Sequence, residues 1–243
     1  MITAKSALAL AALALLAAPH PAFAQQRKDD TPPVAFGENA EKSDTDEASK
    51  ALRTYAPINY DTSADPDNIW VIDLSNGERV KIRLQADWAP GHVERIKTLT
   101  RAGFYNGVVF HRVIDGFMAQ GGDPTGTGQG GSELPDLKAE FNPMPHVRGT
   151  LSMARAASDD SANSQFFIVF YPRFSLDKKY TNFGRVIENM EAVDAINRGE
   201  PPAEPTYIVQ ASLASDNLPP PPPPAPAAEE APITAEMLNT SKS

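Results

Sequence analysis

The chain has no cysteine, only four histidines, and fewer basic than acidic side chains, with 22 Lys and Arg against 31 Asp and Glu. Without a thiol it can build no disulfide scaffold, no thiolate nucleophile and no cysteine-held zinc or iron–sulfur centre. A net charge of −9 repels phosphates and argues against a domain that grips nucleic acid. Long apolar runs are missing too. The Ala/Leu stretch Ala7–Ala18 falls short of the ~20 residues needed to cross a bilayer.

That stretch has another reading. Lys5 precedes it, and Ala22-Phe23-Ala24 follows Pro19-His20-Pro21, the small-x-small pattern of a signal-peptidase site. Residues 1–24 are therefore expected to be a signal peptide. The mature chain would start at Gln25 and be exported, to a periplasm by preference, with full secretion as the alternative. Residues 25–60 carry more acids than bases and no sustained apolar period, which reads as an acidic, mostly disordered leader. At the other end six prolines, Pro219–Pro224, open a Pro-rich tail over 214–243 that reads as a polyproline II spacer.

The globular part lies between, over 61–213. Of the 243 residues 41% are hydrophobic and 8% aromatic, enough for one core. Trp70–Leu74 and Val80–Leu84 alternate around Asn76-Gly77, a strong hairpin signal. Pro90 fits the first position of a helix carrying Val93, Ile96 and Thr100 on one face and stopped by Gly103. Strands are expected over Val108–Val113, Phe117–Gln120, Thr150–Ala154, Gln165–Phe170, Phe183–Ile187 and Tyr207–Ala211, and a second helix over Met190–Asn197. Many short strands with two helices point to an all-β-dominated antiparallel barrel or sandwich.

Familiar chemistry is hard to find. Gly126-Thr127-Gly128-Gln129-Gly130-Gly131 has the letters of a dinucleotide fingerprint, but Pro135 follows where a helix should open. No Lys-Ser or Lys-Thr follows the glycines either, so this is no P-loop. The glycines read instead as a tight loop whose backbone approaches a ligand. His92, His111 and His146 are not spaced as metal ligands, and no G-x-S-x-G elbow accompanies them. What stands out is Arg112 and Gln120 breaking into an otherwise apolar strand pair, because a guanidinium among apolar side chains needs a partner or a ligand.

Phe110-His111-Arg112 through Gln120-Gly121-Gly122-Asp123, Leu151-Ser152-Met153-Ala154, Ser164-Gln165-Phe166-Phe167-Ile168, Leu176-Asp177 and Phe183-Gly184 together resemble the cyclophilin-type peptidyl-prolyl cis–trans isomerases. The resemblance spans roughly Asn68–Ser212. It implies a closed eight-stranded antiparallel β-barrel capped by two α-helices, and an enzyme that rotates X–Pro bonds without metal or cofactor. It implies that Arg112 is the catalytic arginine and that Gln120 orients it and the substrate carbonyl. Phe117, Met118, Phe167 and Leu176 would receive the proline ring. Ala154, Arg155 and Gln165 would line the groove for preceding residues, with Tyr180 at the rim.

Three positions depart from the family's common pattern. Ser175 stands where many relatives have a cyclosporin-binding tryptophan, Tyr180 where they have histidine, and Lys178 where they have a loop glycine. Weak or no cyclosporin binding is therefore expected. The implied partners are proline-containing segments of unfolded or exported proteins. Nucleic acid and stable membrane insertion after leader removal are not expected, and the chain is expected to be a monomer. A binding module or holdase with incidental turnover is the rival reading. Docking of the tail onto an envelope assembly would be an addition to the isomerase.

Overall fold

The computed structural model describes residues 55–222. The expected signal peptide, the leader up to residue 54 and the tail beyond 222 lie outside the described residues. The fold opens with the hairpin that the alternation around Asn76-Gly77 marks. Strand β1 (Ile69–Leu74) pairs antiparallel with β2 (Arg79–Leu84), and Asp73 lies opposite Arg79. Leu74 N–H donates to Glu78 O at 2.8 Å, so the loop holds three residues, Ser75-Asn76-Gly77. Gly77 takes the left-handed position such loops need, at φ 88°.

Helix α1 (Pro90–Arg101) starts on Pro90 and buries Val93, Ile96, Leu99 and Thr100. Its first turn is capped from afar, because the Glu140 carboxylate accepts the Gly91 and His92 N–H groups at 3.2 and 3.1 Å. At the other end Gly103 N–H donates to Thr100 O and Phe104 N–H to Leu99 O, the paired bonds of a Schellman stop. Gly103 sits at φ 72°, as that stop requires.

Six further strands follow: β3 (Arg112–Ile114), β4 (Met118–Gly121), β5 (Thr150–Met153), β6 (Phe166–Val169), β7 (Asn182–Glu188) and β8 (Ile208–Leu213). Helix α2 covers Met190–Asp194, shorter than expected. Beyond it, Asn197 is taken up by the next loop, its N–H donating to Thr206 Oγ1 and its Nδ2 to Glu204 O. The eight strands form one antiparallel sheet in the order β3-β4-β6-β5-β7-β2-β1-β8.

This corrects the expected closed barrel. The sheet is an open half-barrel whose edge strands, β3 and β8, are not joined by a ladder. The reason lies in the stretch expected as the strand Val108–Val113, of which only Arg112 and Val113 fall in β3. The preceding residues meet the β8 side through the isolated bridge Val109–Tyr207 and the bonds Phe110 N–H to Thr206 O and Gly107 N–H to Ile208 O. Val113 turns instead to Gly199.

Side chains alternate across these strands, so the two faces collect different sets. The inner face gathers Val113, Ala119, Leu151, Met153, Phe166 and Ile168 with Trp70, Ile72, Ile82 and the apolar side of α1. At its centre Trp70 meets Phe166 edge-on at 5.0 Å and Tyr105 at 5.2 Å. Such pairs contribute about 0.5–1.5 kcal/mol each beyond the area they bury. The outer face of β3, β4 and β6 carries the functional candidates.

Candidate active site

Strand register places the candidates before any loop is considered. Arg112 lies directly opposite Gln120, and Ile114 opposite Met118. On the next strand pair Gln120 faces Phe167 and Met118 faces Val169. These six side chains therefore share one face. Met118, Phe167 and Val169 are buried together, and Ile114, Phe117, Ala154, Leu176 and Tyr180 pack against them. Phe117 is delivered by the three-residue β3–β4 turn, where Gly116 adopts φ 64° and Phe117 N–H donates to Ile114 O. The result is an apolar pocket with Arg112 and Gln120 at its edge.

Arg112 is half-exposed, and its Nε donates to Glu200 Oε2 at 2.7 Å. Gln120 Nε2 donates to Gln165 Oε1 at 2.9 Å. Gln165 in turn spends its Nε2 on two carbonyls of the glycine loop, Gly128 at 3.1 Å and Gly130 at 2.8 Å. The loop was expected to offer its backbone to a ligand. Within the fold, these two carbonyls hold Gln165, and Gly128, Gly130 and Gly131 border the groove. The loop is tied from beneath by Asp123, which is fully buried. Its carboxylate accepts from the N–H groups of Thr125, Gly128 and Gly130 and from Thr125 Oγ1. Burial pushes the Asp123 carboxyl up, but these donors outweigh it and hold it down at about 2. A cavity of about 500 Å3 opens beyond Gln120, lined among others by Gln165, Ala154, Arg155, Asn163 and Gly130.

Arg155 points across the rim rather than freely into that groove. Its guanidinium lies 4.8 Å over the Tyr180 ring, donates to Lys179 O at 3.1 Å and pairs with Asp159 at 2.8 Å. Tyr180 meets Phe167 edge-on at 5.7 Å. Arg155 and Tyr180 are thus in contact with each other, and Tyr180 backs the pocket wall. Lys178 holds the left-handed conformation, φ 59°, for which a glycine would be the unstrained choice. Ser175 lies in the short turn Phe174–Leu176 that carries Leu176 to the pocket.

Sequence reasoning missed a second layer. His146 stacks on Phe167 with ring centroids 6.4 Å apart. Its Nδ1 lies 2.9 Å from Asp177 Oδ1 and its Nε2 3.0 Å from Ser152 Oγ, which donates to Thr181 O. The trio has the order of a hydrolytic triad, but Ser152 is fully buried and no substrate reaches it. Its work is to fix the back of Phe167 and the Asp177 end of the Leu176 turn. Burial lowers the His146 pKa, opposed by Asp177. Ile114 and Val169 were missed too, although each stands two residues from a named candidate and alternation alone could have found them.

A family model for the cyclophilin type peptidyl-prolyl cis-trans isomerase/CLD matches residues 71–213. A probable peptidyl-prolyl cis-trans isomerase of Brucella suis is 44% identical over 171 residues, covering 64% of this chain and 87% of that protein. Peptidyl-prolyl cis-trans isomerase B of Bacillus subtilis is 41% identical over 128 residues, covering 52% and 89%. Among solved structures, a cyclophilin from Hirschia baltica superposes with a TM-score of 0.58 at 31% identity, covering 63% of this chain and 76% of that one. A cyclophilin-type isomerase of Cryptosporidium parvum, solved in the presence of the dipeptide Ala-Pro, gives 0.56 at 29% identity, covering 60% and 98%. The half-barrel, the site-bearing strands and the matched span agree: this chain belongs to the cyclophilin family and is a peptidyl-prolyl cis–trans isomerase.

Proposed function

We propose that this isomerase acts on X–Pro bonds of exported proteins as they fold, in a periplasm, with Arg112 as its catalytic residue. The observation that carries the assignment of Arg112 is its register: it faces Gln120 at the mouth of the apolar cluster that Met118, Phe167 and Val169 build on the sheet's outer face. The leader-like pattern up to Ala24 supports export.

The reaction explains why so few polar groups suffice. Turning an X–Pro amide breaks its resonance, at a barrier of about 18–20 kcal/mol, and without help takes tens to hundreds of seconds. No bond is made, so no nucleophile is needed. As the amide twists, the prolyl nitrogen becomes pyramidal and regains a lone pair. A guanidinium N–H aimed at that atom bonds to the twisted state and not to the planar one, which is differential transition-state binding. Arginine suits this task because it stays charged and presents rigid donors. With Nε spent on Glu200, the Nη groups of Arg112 remain for substrate.

Phe117, Met118, Phe167 and Leu176 take the proline ring, and their apolar surround strengthens the contact. Gln120, held by Gln165 through its nitrogen, keeps its amide oxygen for Arg112 and for ordering the bound peptide. Ala154, Arg155 and Gln165 border the path of residues before proline, with Tyr180 closing the rim. Because Ser175 and Tyr180 replace the tryptophan and histidine common in relatives, cyclosporin binds weakly or not at all. The enzyme works as a monomer.

Expressing the full chain in a Gram-negative host tests the cellular part. The expected result is a periplasmic protein beginning at Gln25 that speeds refolding of a proline-limited exported protein. A cytosolic product retaining residues 1–24 would overturn it. A folded protein that binds Ala-Pro-Phe without exchanging it would favour the binding-module reading.

A further inference from the structure

We infer that Glu200 is a positioning residue for Arg112, holding the guanidinium by its Nε so that the Nη donors meet the twisted prolyl nitrogen. The inference rests on the reading of Arg112 as the donor to that nitrogen. Its ground is a second cross-strand relationship. Val113 N–H donates to Gly199 O at 2.7 Å and Gly199 N–H donates to Val113 O at 2.9 Å, a reciprocal antiparallel bridge. In such a pair the residue before one partner lies opposite the residue after the other. Arg112 is therefore flanked by Gln120 across β4 and by Glu200 across the bridge.

The loop that delivers Glu200 is built to stay in place. Gly199 has φ 145°, and a side chain there would run into the backbone of Pro201 and Pro202. Those prolines stiffen the next two residues. On the other side the Arg198 guanidinium lies 4.2 Å over the Phe170 ring and reaches Asp115 Oδ1 at 3.4 Å. The carboxylate thus arrives on a braced backbone, and the ion pair loses little freedom in forming.

Stability does not account for the pair. The Arg112 and Glu200 side chains are 43% and 51% exposed, and pairs so open to water contribute typically about 0.2–1 kcal/mol. Orientation is the larger effect, since a small misplacement of a reacting group can cost up to about 100-fold in rate.

The test is exchange of Ala-Pro-Phe peptide by Glu200→Ala, Glu200→Gln, Arg112→Ala and the double variant Arg112→Ala/Glu200→Ala, each compared with the unaltered protein. Glu200→Ala is expected to lose about tenfold in kcat, with KM within about twofold and the melting midpoint within about 2 °C. Glu200→Gln keeps an acceptor oxygen and is expected to regain most of that loss. The double variant should be no slower than Arg112→Ala, because removing the arginine leaves Glu200 nothing to hold. Full or raised turnover in Glu200→Ala, or additive losses in the double variant, would overturn the inference. If Arg112→Ala itself turned over at full rate, the failure would lie in the reading of Arg112, which the single variant reveals.

Discussion

Gln120 and Gln165 are joined amide to amide at 2.9 Å, and Gln165 is itself clamped by the carbonyls of Gly128 and Gly130. A residue that faces Arg112 is thereby tied to a loop whose order depends on one buried carboxylate, Asp123. A Cβ at Gly130 would fall on Asp123 Oδ1 and crowd Thr125. Gly130→Ala is therefore expected to cost about 1–3 kcal/mol of stability. It should also lower kcat/KM for a proline peptide, since Gln165 loses its anchor. Urea unfolding and peptide exchange on the same preparation check both effects. Unchanged turnover would separate the loop from the site.

The buried histidines set an acid limit on the fold. Burial lowers the pKa of both His111 and His146 from the ordinary 6.5, against the pull of Asp123 on the first and Asp177 on the second. The unfolded chain therefore binds more protons through that window. Stability is full above pH 6.5 and declines as the pH falls through the lower folded values. A second decline follows below 3.8 toward about 2, where Asp67, bonded to Lys97 and Arg101, and Asp123 gain protons. The urea midpoint should be lower at pH 5.5 than at pH 7.5. A midpoint equal or higher at pH 5.5 would contradict this account.

Lys178 occupies a left-handed position that costs a side chain about 1 kcal/mol. Lys178→Gly, exposed and outside the pocket, relieves that strain, while glycine's freedom in the unfolded chain returns part of it. A gain of about 0.5 kcal/mol is expected, measured by urea unfolding. A loss would show that the lysine side chain holds the turn in another way.

Arg155 and Tyr180 are expected to behave as one unit. Their cation–π contact at 4.8 Å should give a coupling of about 0.5–1 kcal/mol in a double-mutant cycle on stability. Tyr180→Phe should preserve most of it and Tyr180→Ala none. Additive single losses would mean the two side chains act independently.

Much of this architecture can be read along the chain. Alternation marks β1 and β2, and Pro90 and Gly103 bracket α1, because those signals are local and act within a few residues. The same alternation puts Arg112, Ile114, Met118, Gln120, Phe167 and Val169 on one face once the pairing of β3, β4 and β6 is known. What could not be read depends on partners distant in sequence. Glu200 reaches Arg112 over 88 positions, and His146 reaches Asp177 over 31. Neither loop carries a period that announces its destination. Barrel closure was misjudged for a similar reason, since whether Val109 and Tyr207 form a ladder or a single bridge is set by how β3 and β8 approach. The end of α2 was lost to Thr206 and Glu204, which compete for Asn197 from the next loop.

The most direct measurement is cis–trans exchange of an Ala-Pro-Phe peptide by the unaltered protein beside Arg112→Ala, with folding of both verified by thermal melting. The account requires rapid exchange by the first and loss of most of it, about 100-fold or more, in the second, with the melting midpoint nearly unchanged. A folded Arg112→Ala protein that exchanges the peptide at the full rate would contradict the central role given to this arginine.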